Sequence, residues 1–160
     1  MAVPAGKRAK VLVFGIGNPG RRDDGLGPKL IEHIGGAGFP KSLDVSGEFR
    51  YQLNVEDALT MRDFDVVVFA DASRSGEEPV VISEIGPAAE IAVTTHAMSP
   101  PSVVALCWEL YGHAPRSYLL AIRGYDWDVG EELSPAAEQN LEKALDILRE
   151  FVGRFGEPIS

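Results

Sequence analysis

The sequence predicts a three-layer α/β/α sandwich around a mostly parallel sheet, and three observations point that way. The runs KVLVFGI, DVVVFA and YLLAIR are continuously apolar, the pattern of strands covered on both faces. Helical patterns alternate with these runs across short connections. The chain has 160 residues, the length of one ordinary domain, so residues 1–160 read as a single unit.

The elements follow in order. Lys10–Ile16 reads as a buried parallel strand, broken by Asn18-Pro19-Gly20 into a loop. A helix is expected from Gly27-Pro28, burying Leu30, Ile31 and Ile34 and ending at Gly35-Gly36. Ser42–Gly47 reads as a second strand. Asn54 is placed to cap a helix over Val55–Arg62, with Asp57 three residues on. Asp65–Ala70 is a buried strand, and Val80–Ile85 and Ile91–Thr95 are further strand candidates separated by Gly86-Pro87. Pro101–Tyr111 reads as a helix stopped by Gly112, and Tyr118–Arg123 as a strand. Ser134-Pro135 opens a last helix whose apolar face is Leu141, Leu145, Leu148 and Val152.

Charge and cysteine usage narrow the function. Fifteen Lys and Arg against 24 Asp and Glu give a net charge of −9, which argues against a nucleic-acid partner. No apolar run approaches the roughly 18 residues that span a bilayer, so no membrane role is expected. The apolar stretch behind the basic N-terminus is only strand-length, unlike a signal peptide. Cys107 is the single cysteine, so no intrachain disulfide can form and a reducing, cytoplasmic setting is expected.

In sheets of this class, ligands sit beyond the carboxyl ends of the strands. Three segments follow strands in that way: the loop up to Asp24, then Asp71, then His96. Two carboxylates and an imidazole converging on one sheet edge suit a borderline divalent ion and leave coordination positions open. Each residue alone has an ordinary reading. Asp23-Asp24 fits a solvated loop or helix cap, strand-end Asp is common, and a lone His is more often structural. Gly15, Gly17 and Gly20 also satisfy G-x-G-x-x-G. A dinucleotide site would need those glycines to open directly into a helix facing a pyrophosphate, whereas Pro19, Arg21-Arg22 and two carboxylates intervene.

Taken together, the segments resemble the nickel-iron hydrogenase maturation proteases. GIGNPGRRDDGLG is similar to that family's first block, G-[IV]-G-N, four variable residues, then D-[DE]-G-x-G. DVVVFADAS resembles the second block and TTHAMSP the third. IRGYDWDVGEELSPAAEQNLEKAL resembles the closing segment, and the likeness runs from Lys10 to about Phe151. The resemblance implies a phosphorylase/hydrolase-like sandwich. It also implies metal contact and catalysis through Asp24, Asp71 and His96, with nickel carried by the substrate. That substrate would be a hydrogenase large-subunit precursor, which loses its C-terminal extension after nickel insertion. The family uses Glu or Asp at the second acid, and the shorter Asp24 draws the ligand oxygen toward the backbone.

Other residues take plainer readings. Cys107 is expected to be core packing, and His33 and His113 structural or solvated. Arg21 and Arg22 read as a solvated loop, with docking of a substrate carboxylate as the functional alternative. Two rivals share the loop. Peptidyl-tRNA hydrolases carry a similar strand followed by G-L-G-N-P-G, but here RRDDGLG follows, with no His before His33. A metal- or nucleotide-binding sensor would bind without cutting.

Overall fold

The computed structural model describes residues 8–36, 38–91 and 97–156. The strands are β1 (Ala9–Ile16), β2 (Leu43–Arg50), β3 (Val66–Ser73), β4 (Val80–Ile85) and β5 (Arg116–Arg123). They form one sheet in the order β2-β1-β3-β5-β4. β2, β1, β3 and β5 are parallel, and β4 closes one edge antiparallel to β5. The three runs expected to be central, within β1, β3 and β5, are the three inner strands.

Side-chain alternation along the strands divides the core in two. Val11 and Val13 of β1 pack with helix α1 (Leu26–Glu32) and helix α4 (Pro135–Gly153). Leu12 and Phe14 face the other way, toward helix α2 (Glu56–Met61) and helix α3 (Pro100–Tyr111). Phe14 stacks on Phe69 of β3 with ring centroids 5.5 Å apart. Helices on both faces explain why the inner strands carry no polar stripe. Among the described residues no helix is long and apolar enough to cross a membrane.

Helix ends follow the sequence signals closely. Ser99 caps α3 by accepting from the Ser102 N–H at 3.2 Å, and Gly112 ends it in the left-handed conformation. Ser134 caps α4, with Leu141, Leu145, Leu148 and Val152 all buried beneath it. At α2 the expectation is only partly met: the helix runs Glu56–Met61 with Val55 as its N-cap and no capping side chain, while Asn54 Oδ1 accepts from the Glu56 N–H and Asp57 Oδ2 from the Asn54 N–H. Asp57 also receives the Arg50 Nε–H at 2.8 Å, so this buried carboxylate is charge-paired.

Several boundaries differ from expectation. α1 starts at Leu26, after a 3-10 turn over Arg22–Gly25. It stops at Glu32 instead of running to Gly35-Gly36, because its last turn tightens: the His33 N–H bonds the Leu30 carbonyl at 3.0 Å. β2 extends to Arg50, three residues beyond Gly47, held by its full pairing with β1. β3 continues past Ala70 to Ser73 along β5. Ile91 lies outside any strand, and the rest of the Ile91–Thr95 candidate is outside the described residues.

Candidate functional site

β1 leads toward β2 on one side and β3 on the other, so the chain's winding reverses between β1 and β3. Such a switch leaves a crevice at the carboxyl ends of the two strands. Asp71 stands there. It is the last β3 residue paired to β1, opposite Ile16, while β3 itself runs on beside β5.

The loop leaving β1 brings Asp24 back to the same place. Gly17 has φ +141, and a Cβ there would stand 2.0 Å from the Asp24 carbonyl oxygen and 3.6 Å from its carboxyl carbon. Only glycine fits, since both the φ and the space exclude a side chain. Asp24 Oδ2 accepts the Asn18 N–H at 2.8 Å, and the Gly17 N–H bonds the Arg50 carbonyl at 3.0 Å. Gly27 allows the start of α1 to press on the sheet: its Cβ would lie 2.6 Å from the carbonyl oxygens of Ile16 and Ala70. The motif's glycines thus fold the loop flat over the β1–β3 crevice, and none is needed to cradle a phosphate.

The two acids of the motif have different jobs. Asp23 is fully buried and accepts four hydrogen bonds: from the N–H groups of Tyr125, Asp126 and Ser134, and from the Ser134 hydroxyl at 2.7 Å. Burial pushes its carboxyl up, but the Ser134 hydroxyl and these N–H groups prevail and hold it below the usual carboxylate range. Asp23 is therefore a clamp joining the loop to the segment before α4, and the structural reading of the pair holds for it. Arg22 reinforces the clamp. At φ 44 its N–H bonds the Gly130 carbonyl at 2.8 Å, and its guanidinium lies 3.7 Å from Asp126.

Asp71 is mostly withdrawn from water. Desolvation pushes its carboxyl up to about 7, the Ala72 N–H opposes this, and the neighbouring Asp24 charge adds to it. A carboxyl whose value is raised on folding is held protonated, so its stabilising effect is complete below about 4 and disappears as pH climbs to about 7. Asp71→Asn removes that loss. Thermal unfolding of variant and wild type should nearly coincide at pH 4. At pH 8 the variant should be the more stable, by on the order of 2–4 kcal/mol. Equal stabilities at pH 8 would contradict the burial argument.

His96 lies outside the described residues. The described chain resumes at Ala97, and the Met98 N–H bonds the Leu53 carbonyl at 3.1 Å, just past β2. Among the described residues no group of three His, Cys, Asp or Glu side chains is arranged to hold a metal. Cys107 is buried in α3, with its Sγ 3.4 Å from the His113 carbonyl, as expected for core packing. His113 ties the end of α3 to α2 through the Arg62 carbonyl, and exposed His33 follows α1.

Asp24 opens into a cleft of about 390 Å³ lined also by Asn18, Arg21, Arg74 and Trp127. Sequence reasoning missed Arg74 and Trp127. Their only signal was position, since each follows a sheet strand at its carboxyl end.

No protein-family profile and no curated protein matches the chain. Solved structures do. The NiFe hydrogenase maturation protease HycI from Thermococcus kodakarensis KOD1 is 23% identical, with 92% of this chain and 94% of that one covered at a TM-score of 0.66. The hydrogenase maturating endopeptidase HybD from E. coli is 21% identical, covering 91% and 93% at 0.66. The hydrogenase 2 maturation peptidase from a Thaumarchaeota archaeon is 21% identical, covering 90% and 98% at 0.64. The chain therefore has, over nearly its whole length, the fold of the hydrogenase maturation peptidases.

Proposed function

We propose that the protein is a hydrogenase maturation endopeptidase, acting on a hydrogenase large-subunit precursor in the cytoplasm. The observation that carries this reading is the meeting of Asp24 and Asp71 at the β1–β3 switch of that fold, close enough for the Asp24 charge to act on Asp71. Nickel arrives with the substrate, and Asp24, Asp71 and His96 complete its coordination shell. A substrate-borne ion can polarise the scissile carbonyl or activate a water. Hydrolysis adds that water across the peptide bond and releases the C-terminal extension with a free amino end.

The chain's own residues supply position and charge. The Asn18 N–H fixes one oxygen of Asp24, leaving the other for the metal. Ligation requires Asp71 to give up its proton, so precursor binding tightens as pH rises through about 7.

The test is incubation with nickel-loaded and nickel-free precursor, followed by intact mass. Loss of the extension from the loaded form alone is expected. Equal cutting of both forms would show that nickel is not what is read, and cutting of neither would leave a binding module.

A further inference from the structure

The cleft beside Asp24 carries charge of the opposite sign on its remaining wall. Arg21 and Arg74 are both exposed there. Arg74 stacks on Trp127, its guanidinium carbon 4.2 Å from the ring centroid. Stacking holds the guanidinium by its face and leaves the N–H edge free for a planar anion. The platform is fixed in turn. A Cβ at Gly124 would come 2.8 Å from Trp127 Cη2, and the segment just before the ring is bonded to Asp23 through the Tyr125 and Asp126 N–H groups.

Among the described residues, neither Arg21 nor Arg74 is neutralised by a carboxylate partner, whereas Arg22 beside them pairs with Asp126. Neither pairs with Asp24, although all three line one cleft. The ligand that complements such a cleft bears a cation at the carboxylates and an anion at the arginines.

We infer that Arg21 and Arg74, with Trp127 as platform, form a specificity pocket for a carboxylate of the peptide substrate, close to the bond that is cut. This rests on the peptidase reading and adds a substrate preference to it. The carboxylate is either an acidic side chain or the free end of a chain. Arginine forks bind both bidentately.

The test uses Trp127 itself. The chain has two tryptophans, and Trp108→Phe leaves Trp127 as the single reporter. Three probes are titrated at low salt: acetyl-Ala-Glu-Ala-Glu-Ala amide, its glutamine counterpart as an amide, and the same glutamine peptide with a free carboxyl end. At least one carboxylate-bearing probe should bind about fivefold or more tighter than the glutamine amide, the scale of one exposed ion pair. Arg21→Gln and Arg74→Gln should each erase most of that preference. Tightest binding of the glutamate peptide assigns the pocket to a side chain, and tightest binding of the free-ended peptide assigns it to a terminus. Equal binding of all three, or a preference surviving both substitutions, overturns the pocket. Because cleavage plays no part, a preference without precursor processing sinks only the peptidase reading, and processing without a preference sinks only the pocket.

Discussion

Asp24→Asn lowers processing of a nickel-loaded precursor by roughly 10²–10³-fold or more, the scale on which a single preorganised electrostatic contact is lost. The fold survives, because the substituted amide oxygen still accepts the Asn18 N–H and the melting temperature moves by only a few degrees. Asp71→Asn has a loss of the same order. The double variant is little worse than either single one, since ligands of one ion act as a unit. Complex formation fails along with cleavage, because the metal is recognition element and catalyst together. Co-purification with the precursor, followed by single-turnover cleavage, measures both. Near-wild-type cleavage by either single variant would remove that residue from the site.

Asp23→Ala has the opposite profile, a large loss of stability with the metal-facing groups untouched. It leaves three part-buried N–H groups and a hydroxyl without their acceptor. The cost is about 3–5 kcal/mol, as for other buried charge networks broken from one side. In a domain of this length that corresponds to a fall of roughly 10–15 °C in melting temperature. Processing falls as well, because the loop carrying Asp24 is no longer anchored to the start of α4. Thermal and urea unfolding of the variant check the figure, and a drop under about 3 °C would show that the clamp carries little.

The contrast between the two neighbouring acids marks how far the sequence could be read. The inner sheet was plain because its strands are continuous apolar runs, and the two long helices announced themselves, one by its stop at Gly112 and the other by its Ser134-Pro135 start. Asp24 and Asp71 were visible as strand-end carboxylates. Asp23 was not separable from Asp24, because its partners lie 102 to 111 residues further along the chain. No local pattern carries that distance. Arg74 and Trp127 meet only because β3 and β5 are adjacent, and adjacency is a property of strand order. The antiparallel β4 edge was hidden for a related reason: its half-exposed residues give no direction, and only pairing with β5 sets it. The β3 extension to Ser73 is likewise a consequence of β5 alongside it.

GIGNPG shows the limit at the site as well. Those six residues fit two enzyme classes, and what separates them is the acid that follows and where the loop returns it. The structure brings Asp24 back against Gly17, beside the Ile16–Asp71 register.

Nickel K-edge absorption of the precursor, recorded alone and with excess protein, tests the central claim most directly. On complex formation the nickel should gain light oxygen or nitrogen neighbours at about 2.0–2.2 Å, the range of carboxylate and imidazole bonds to a comparable divalent ion. With Asp24→Asn at concentrations high enough to force binding, part of that gain should disappear. A complex that forms while the nickel spectrum stays unchanged would contradict the reading of the ion by this chain.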